Sequence, residues 1–182
     1  MDDATNDDPT GEEAKELYAH FGLAFYCSNI LEHGIVNAIF ILEMMEKRRD
    51  VKTRHEWEAL VDNHFENSFA CTLGRLKNQV VRHRERSAAL ASLTADLDKC
   101  LEVRNFLAHH FWRDYAAQWF TADGRAAMVQ RLEEARDLFS DTDRKLEAAI
   151  QPFADRYGFT PDVQHHTFEL IKREAAGRHR RL

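Results

Sequence analysis

Apolar side chains recur every three or four positions over most of this chain, and on its first long segment they cover a wide arc. Leu17, Phe21, Ala24, Leu31, Ile35, Ala38, Leu42 and Met45 form one helical stripe. Leu23, Cys27, Ile30, Gly34, Ile41 and Met44 form a second beside it. A helix over 12–48 with so broad an apolar arc must be covered on more than one side, by its own bundle or by a second subunit. Breakers are scarce, with 7 Gly and 3 Pro in 182 residues, which favours long helices with few connections over a many-stranded sheet. No strand pattern competes.

The rest of the chain repeats the helical period. Thr53-Arg54-His55-Glu56 reads as a capping box that opens a second helix, with Trp57, Leu60, Val61, His64 and Phe65 on its packing face. Further helices are expected over about 71–84 and 88–112. The latter carries Leu90, Leu93, Leu97, Leu101, Arg104, Leu107 and Phe111 on one stripe. Thr121 to Gly124 looks like a turn and N-cap before a long helix that runs to Tyr157, kinked or broken near Pro152. Thr160-Pro161 would open a last helix, ended by Gly177. The expectation is an all-α fold, an antiparallel helical bundle of four to five main helices with an appended C-terminal helix. Residues 1–11 are expected to be a disordered acidic tail, 12–158 the bundle, and 159–182 the C-terminal helix and basic tail.

The formal net charge of −6 is unevenly placed. Asp2, Asp3, Asp7, Asp8, Glu12, Glu13 and Glu16, against Lys15, account for all of it. Two basic segments stand out in the remainder. One holds Arg75, Lys77, Arg82, Arg84 and Arg86, the other Lys172, Arg173, Arg178, Arg180 and Arg181. Each reads either as a solvated face or as a patch for nucleic-acid phosphates. Cys27, Cys71 and Cys100 are odd in number and without CxxC pairs, which argues against a disulfide framework or structural zinc. The most hydrophobic stretch, Phe21 to Met45, is interrupted by Ser28, Asn29, Glu32, His33, Asn37 and Glu43, and reads as a core helix rather than a membrane span. With a Met-Asp-Asp start that lacks a basic n-region, a cytoplasmic protein without a membrane partner is expected.

One short segment concentrates the chemistry. Arg104 falls on an apolar stripe, and a guanidinium that cannot be neutralised needs an anion or several acceptors there. Asn105 and His109 are four apart and share a face, with Glu102, His110 and Trp112 beside it. On a regular helix Arg104 and His109 are about 140° apart, so they converge only through the arginine's reach, a helix end or a dimer axis. The segment combines an anion clamp, an imidazole suited to proton transfer and an amide to orient either. Glu32-His33 on the first helix could face it and support it.

Arg104-Asn105-x-x-Ala108-His109 resembles the Arg-x4–6-His motif of HEPN domains, small all-α bundles found in RNases and toxins. The loose spacing recurs at Arg49 to His55 and Arg173 to His179, but only Arg104 has Asn after it, Ala before the histidine and a well-patterned helix around it. The resemblance implies a homodimer with two motifs at its interface, and metal-independent RNA cleavage in which the RNA's own 2′-OH attacks the adjacent phosphate. Arg104, Asn105 and His109 carry over as the catalytic set, with no cofactor. Phe111 stands where some toxin members carry a tyrosine modified by a partner nucleotidyltransferase, so that mode of silencing is not expected.

Other constellations are weaker. Neither Glu-x-x-His nor His-Glu-x-x-His occurs, so di-iron and zinc-protease ligand sets are missing and no metal site is expected. His165-His166 would point about 100° apart on a helix. Three readings remain: a toxin or defence endoribonuclease with RNA substrate and an antitoxin or other protein partner, a non-catalytic homodimeric interaction module, or a small-ligand-binding bundle.

Overall fold

The computed structural model describes residues 9–160, together with 162, 163, 165, 166, 169, 172 and 173. Most of the expected acidic tail, and most of the last helix and basic tail, lie outside the described residues. The described chain is all-α.

Helix α1 (Gly11–Ile39) begins on a capping box: Thr10 Oγ1 accepts from Glu13 N–H, and the Glu13 carboxylate accepts from Thr10 N–H. It runs on through a π-helical turn (Phe40–Met44) into α2 (Met45–Lys47). The capping box expected at Thr53 and Glu56 opens α3 (Arg54–Phe69). Then come α4 (Leu73–Val81), a 3-10 turn (Arg84–Arg86) and α5 (Ala88–His109), which Ser87 caps.

Here the expected helix over 88–112 is interrupted. The backbone turns at His110 and restarts as α6 (Phe111–Asp114), which drives Phe111 wholly into the core, stacked on Tyr115 and edge-on to Phe106. A 3-10 turn (Gln118–Phe120) leads to α7 (Ala122–Asp155), capped by Thr121. Pro152 neither ends nor breaks this helix as expected. It lies on an exposed part of the last turn, and the carbonyl its ring deprives, four residues back at Ala148, belongs to an exposed residue that water can reach. Thr160 Oγ1 accepts from Val163 N–H at 3.4 Å, the geometry expected of its N-cap role.

Contacts between helices fix their directions. On α5, Asp96 pairs with Lys145, Cys100 with Thr142, and Arg104 with Glu32, so α5 runs antiparallel to both α7 and α1. Lys77 on α4 reaches Asp98 on α5. By contrast, Glu13 meets Arg125 and Gly34 meets Asp143, so α1 and α7 lie side by side in the same direction. The first stripe of α1 is core: Leu17, Leu31, Ile35 and Leu42 are wholly or almost wholly buried against Leu97, Leu107, Leu132 and Phe139 and their neighbours. Each such leucine is worth about 1.5–3 kcal/mol relative to exposure. The second stripe is only partly covered, and Leu23, Tyr26 and Ile30 face outward.

Candidate functional site

The last two turns of α5 carry Arg104, Asn105 and His109 along a side of the helix that opens to solvent. Asn105 and His109 are exposed, whereas Arg104 is half-buried, its side chain 29 % accessible. Its guanidinium lies over the Phe25 ring, the central carbon 6.0 Å from the centroid. Its Nε is 3.6 Å from Glu32 Oε1, and neither atom has a hydrogen-bond partner or contact with water. The anion that a guanidinium on this stripe requires is therefore Glu32, held at ion-pair distance and beyond good hydrogen-bond length.

His109 is the final residue of α5 and is exposed, and among the described residues its ring makes no hydrogen bond. The His110 ring lies 6.4 Å away and takes Arg113 as a partner, Nδ1 to Nη2 at 2.7 Å. Arg104 and His109 make no direct bond. Of the Glu32-His33 pair, only Glu32 joins this site. His33 points to another side of α1, its ring 4.8 Å from Phe69.

Sequence spacing gives no hint of the aromatic group beside the site. Trp112 on α6 packs 5.4 Å from Tyr18, 5.1 Å from Phe21 and 6.0 Å from Trp119. Trp112 and Tyr18 are exposed, 37 % and 56 % accessible, and Trp112 adjoins the His110–Arg113 pair along the chain. Only a tertiary fold brings residues 18, 112 and 119 together.

The basic segment divides in two. Arg75, Arg82 and Arg84 are exposed, Arg84 within 3.8 Å of Glu85. Lys77 and Arg86 are engaged. Lys77 pairs with Asp98. Arg86 pairs with Glu46, donates to the Leu42 carbonyl at 2.7 Å and packs over Phe153. Leu42 lies in the π-helical turn, whose widened ladder frees a carbonyl for such a donor. His83 Nε2 and Glu43 Oε1, 2.9 Å apart, tie the same turn to the end of α4.

Cys27, Cys71 and Cys100 are free thiols. Burial pushes Cys100 up to about 11, and it donates to Thr142 Oγ1. That makes it a packing residue rather than a nucleophile. Among the described residues, no three His, Cys, Asp or Glu side chains are gathered as a metal would need. The helical run Gly11–Lys47 is long and apolar enough by length and composition to cross a membrane, yet much of its apolar window is buried inside the protein. Comparison with known proteins finds no matching family model, curated protein or solved structure.

Proposed function

We propose that the protein is a cytoplasmic, HEPN-like, metal-independent endoribonuclease of toxin or defence type. Support comes from the open side of α5, where Asn105 and His109 are exposed and Arg104 stands half-buried against Glu32. In the proposed reaction the ribose 2′-OH attacks the neighbouring phosphorus, its proton goes to a base, and the 5′-oxygen leaves with a proton from an acid. His109, in one copy or in two copies across a dimer axis, serves as base or acid. Arg104 binds the scissile phosphate and offsets the charge gathering on it. Asn105 orients His109 or the ribose, while Glu32 holds the arginine until phosphate replaces it. The exposed Trp112 and Tyr18 side chains suit stacked bases, and Arg75, Arg82 and Arg84 remain for phosphate contacts.

A second reading is a non-catalytic homodimeric interaction module. It is favoured by the outward Leu23, Tyr26 and Ile30 on α1, which would dock a second copy or an antitoxin-like protein whether or not cleavage follows.

Cleavage of varied RNAs and melting temperature, measured on wild type, His109→Ala and Arg104→Ala, test the proposal. The nuclease reading expects His109→Ala to lose about a hundredfold or more in rate with its melting temperature unchanged. Wild type inert toward every RNA, or cleavage undiminished in His109→Ala, overturns it.

A further inference from the structure

A cavity of about 570 Å³ lies between α1, α3 and α7, on a different side of α1 from Arg104. Its size falls within the roughly 300–1,000 Å³ usual for small-ligand pockets. Ala38, Leu146, Ile150 and Ala154 are buried and form its floor. Phe40 and Phe65, stacked with centroids 5.5 Å apart, form a wall. His33, Asn37 and Glu147 are exposed at its mouth.

One wall residue does not belong in an apolar space. Asp143 is half-buried, and among the described residues its carboxylate has neither a hydrogen-bond donor nor a cation. The charge that acts on it is that of Glu147, one turn further along α7 and of the same sign. Burial and that neighbour both push the Asp143 carboxyl up from its ordinary value. Opposite it, α1 places Gly34, where any Cβ would stand 2.3 Å from Asp143 Oδ1. Glycine is a poor residue for the middle of a long helix, and here its bareness makes the room that the carboxylate occupies.

The lining narrows the ligand. An anion would be repelled by Asp143 and Glu147, and a neutral apolar molecule would desolvate Asp143 without compensating it. A bare metal ion would find no cluster of three His, Cys, Asp or Glu side chains here among the described residues, and two carboxylates alone are too few for the hard cations that favour them. A cation with a carbon body answers every part: the carboxylates compensate the charge, and the aromatic wall and the floor take the apolar part.

We infer that this cavity is a binding site for a small organic cation, an amine whose ammonium group sits against Asp143 and Glu147 and whose hydrocarbon fills the space toward Phe65 and Ile150. The site is independent of the Arg104 chemistry and stands or falls separately from the nuclease reading.

Three probes of like shape test it on the full chain at neutral pH: octylamine, octanol and octanoate, followed by calorimetric titration and thermal shift. Octylamine is expected to bind saturably and raise the melting temperature, at least tenfold more tightly than octanol, with octanoate weaker still. Asp143→Asn should keep the fold and cost the amine at least tenfold in affinity while leaving octanol unchanged. Gly34→Ala should block all three, but because it also threatens folding, Asp143→Asn is the deciding variant. Equal affinity for amine and alcohol, undiminished amine binding by Asp143→Asn, or no saturable binding to the full chain overturns the inference. So does amine binding that emerges only after removal of residues 161–182, which would make the chain's own C-terminal segment the occupant.

Discussion

Arg104 Nε and Glu32 Oε1 face each other across the α5–α1 seam at 3.6 Å, each shut off from water and each without a hydrogen bond. The pair is poised rather than locked, because the two charges hold each other while the edge of the guanidinium still reaches solvent. Arg104→Ala would strand a half-buried carboxylate and is expected to cost about 1–3 kcal/mol. At roughly 2–4 °C per kcal/mol for a domain of this size, thermal melting resolves it. Glu32→Gln should cost less, since the remaining guanidinium can turn outward to water. A double-mutant cycle in which the two losses simply add would show that the pair is not coupled.

Arg86 separates from its neighbours in the same way. Its guanidinium closes the π-helical turn through the Leu42 carbonyl and Glu46, so Arg86→Ala should cost about 1–3 kcal/mol in urea unfolding. Arg82→Ala and Arg84→Ala should fall within about 0.5 kcal/mol of wild type. If the segment collects RNA, these two and Arg75→Ala should weaken binding and flatten its salt dependence.

The Glu13 carboxyl gives a pH signature. Hydrogen bonds from Thr10 and the Arg125 guanidinium, 2.9 Å away, hold it at about 2, well below its ordinary 4.5. A depressed acid binds fewer protons in the folded state than in the unfolded one, so its contribution is complete above pH 4.5 and lost as the pH falls toward 2. The melting-temperature gap between wild type and Glu13→Gln should therefore be widest near neutrality and close through that window. A gap that stays constant down to pH 2 would remove Glu13 from the account.

The outward stripe on α1 makes a prediction about assembly. If Leu23, Tyr26 and Ile30 dock a second copy, wild type should sediment as a dimer at micromolar concentration, and Leu23→Glu with Ile30→Glu should give a folded monomer. A wild-type monomer under those conditions would leave the stripe to another partner.

What was legible in the sequence follows from the range of each interaction. The Thr53 capping box, the Thr121 cap and the core stripe of α1 depend on residues three or four apart and appear as read, whereas the Thr10–Glu13 box that opens α1 falls at the edge of the expected acidic tail and has no counterpart in that reading. The turn at His110 was hidden because Phe111 is four residues from Leu107 and keeps the apolar period across the break. Pro152 misled in the other direction, since a ring in the last exposed turn strands only a carbonyl that water can satisfy. The sequence marks Arg104 as needing an anion and Glu32-His33 as able to face it, but not which residue pairs with it: a helix turns about 100° per residue, so Glu32 meets Arg104 while His33 lies on a different face. The Asp143–Gly34 approach and the Tyr18–Trp112–Trp119 group had no local signature at all.

The side-by-side course of α1 and α7 has a consequence for the order in which the molecule is born. Glu13 waits for Arg125, 112 positions downstream, and Gly34 waits for Asp143. At roughly 5–20 residues per second, the N-terminal helix emerges from the ribosome on the order of ten seconds before the helix that covers it. Through that interval the side of α1 that α7 covers is bare, available to chaperones and to other nascent copies of the chain. Assembly is thus decided late, when the last long helix arrives and closes a seam whose first half was made at the beginning.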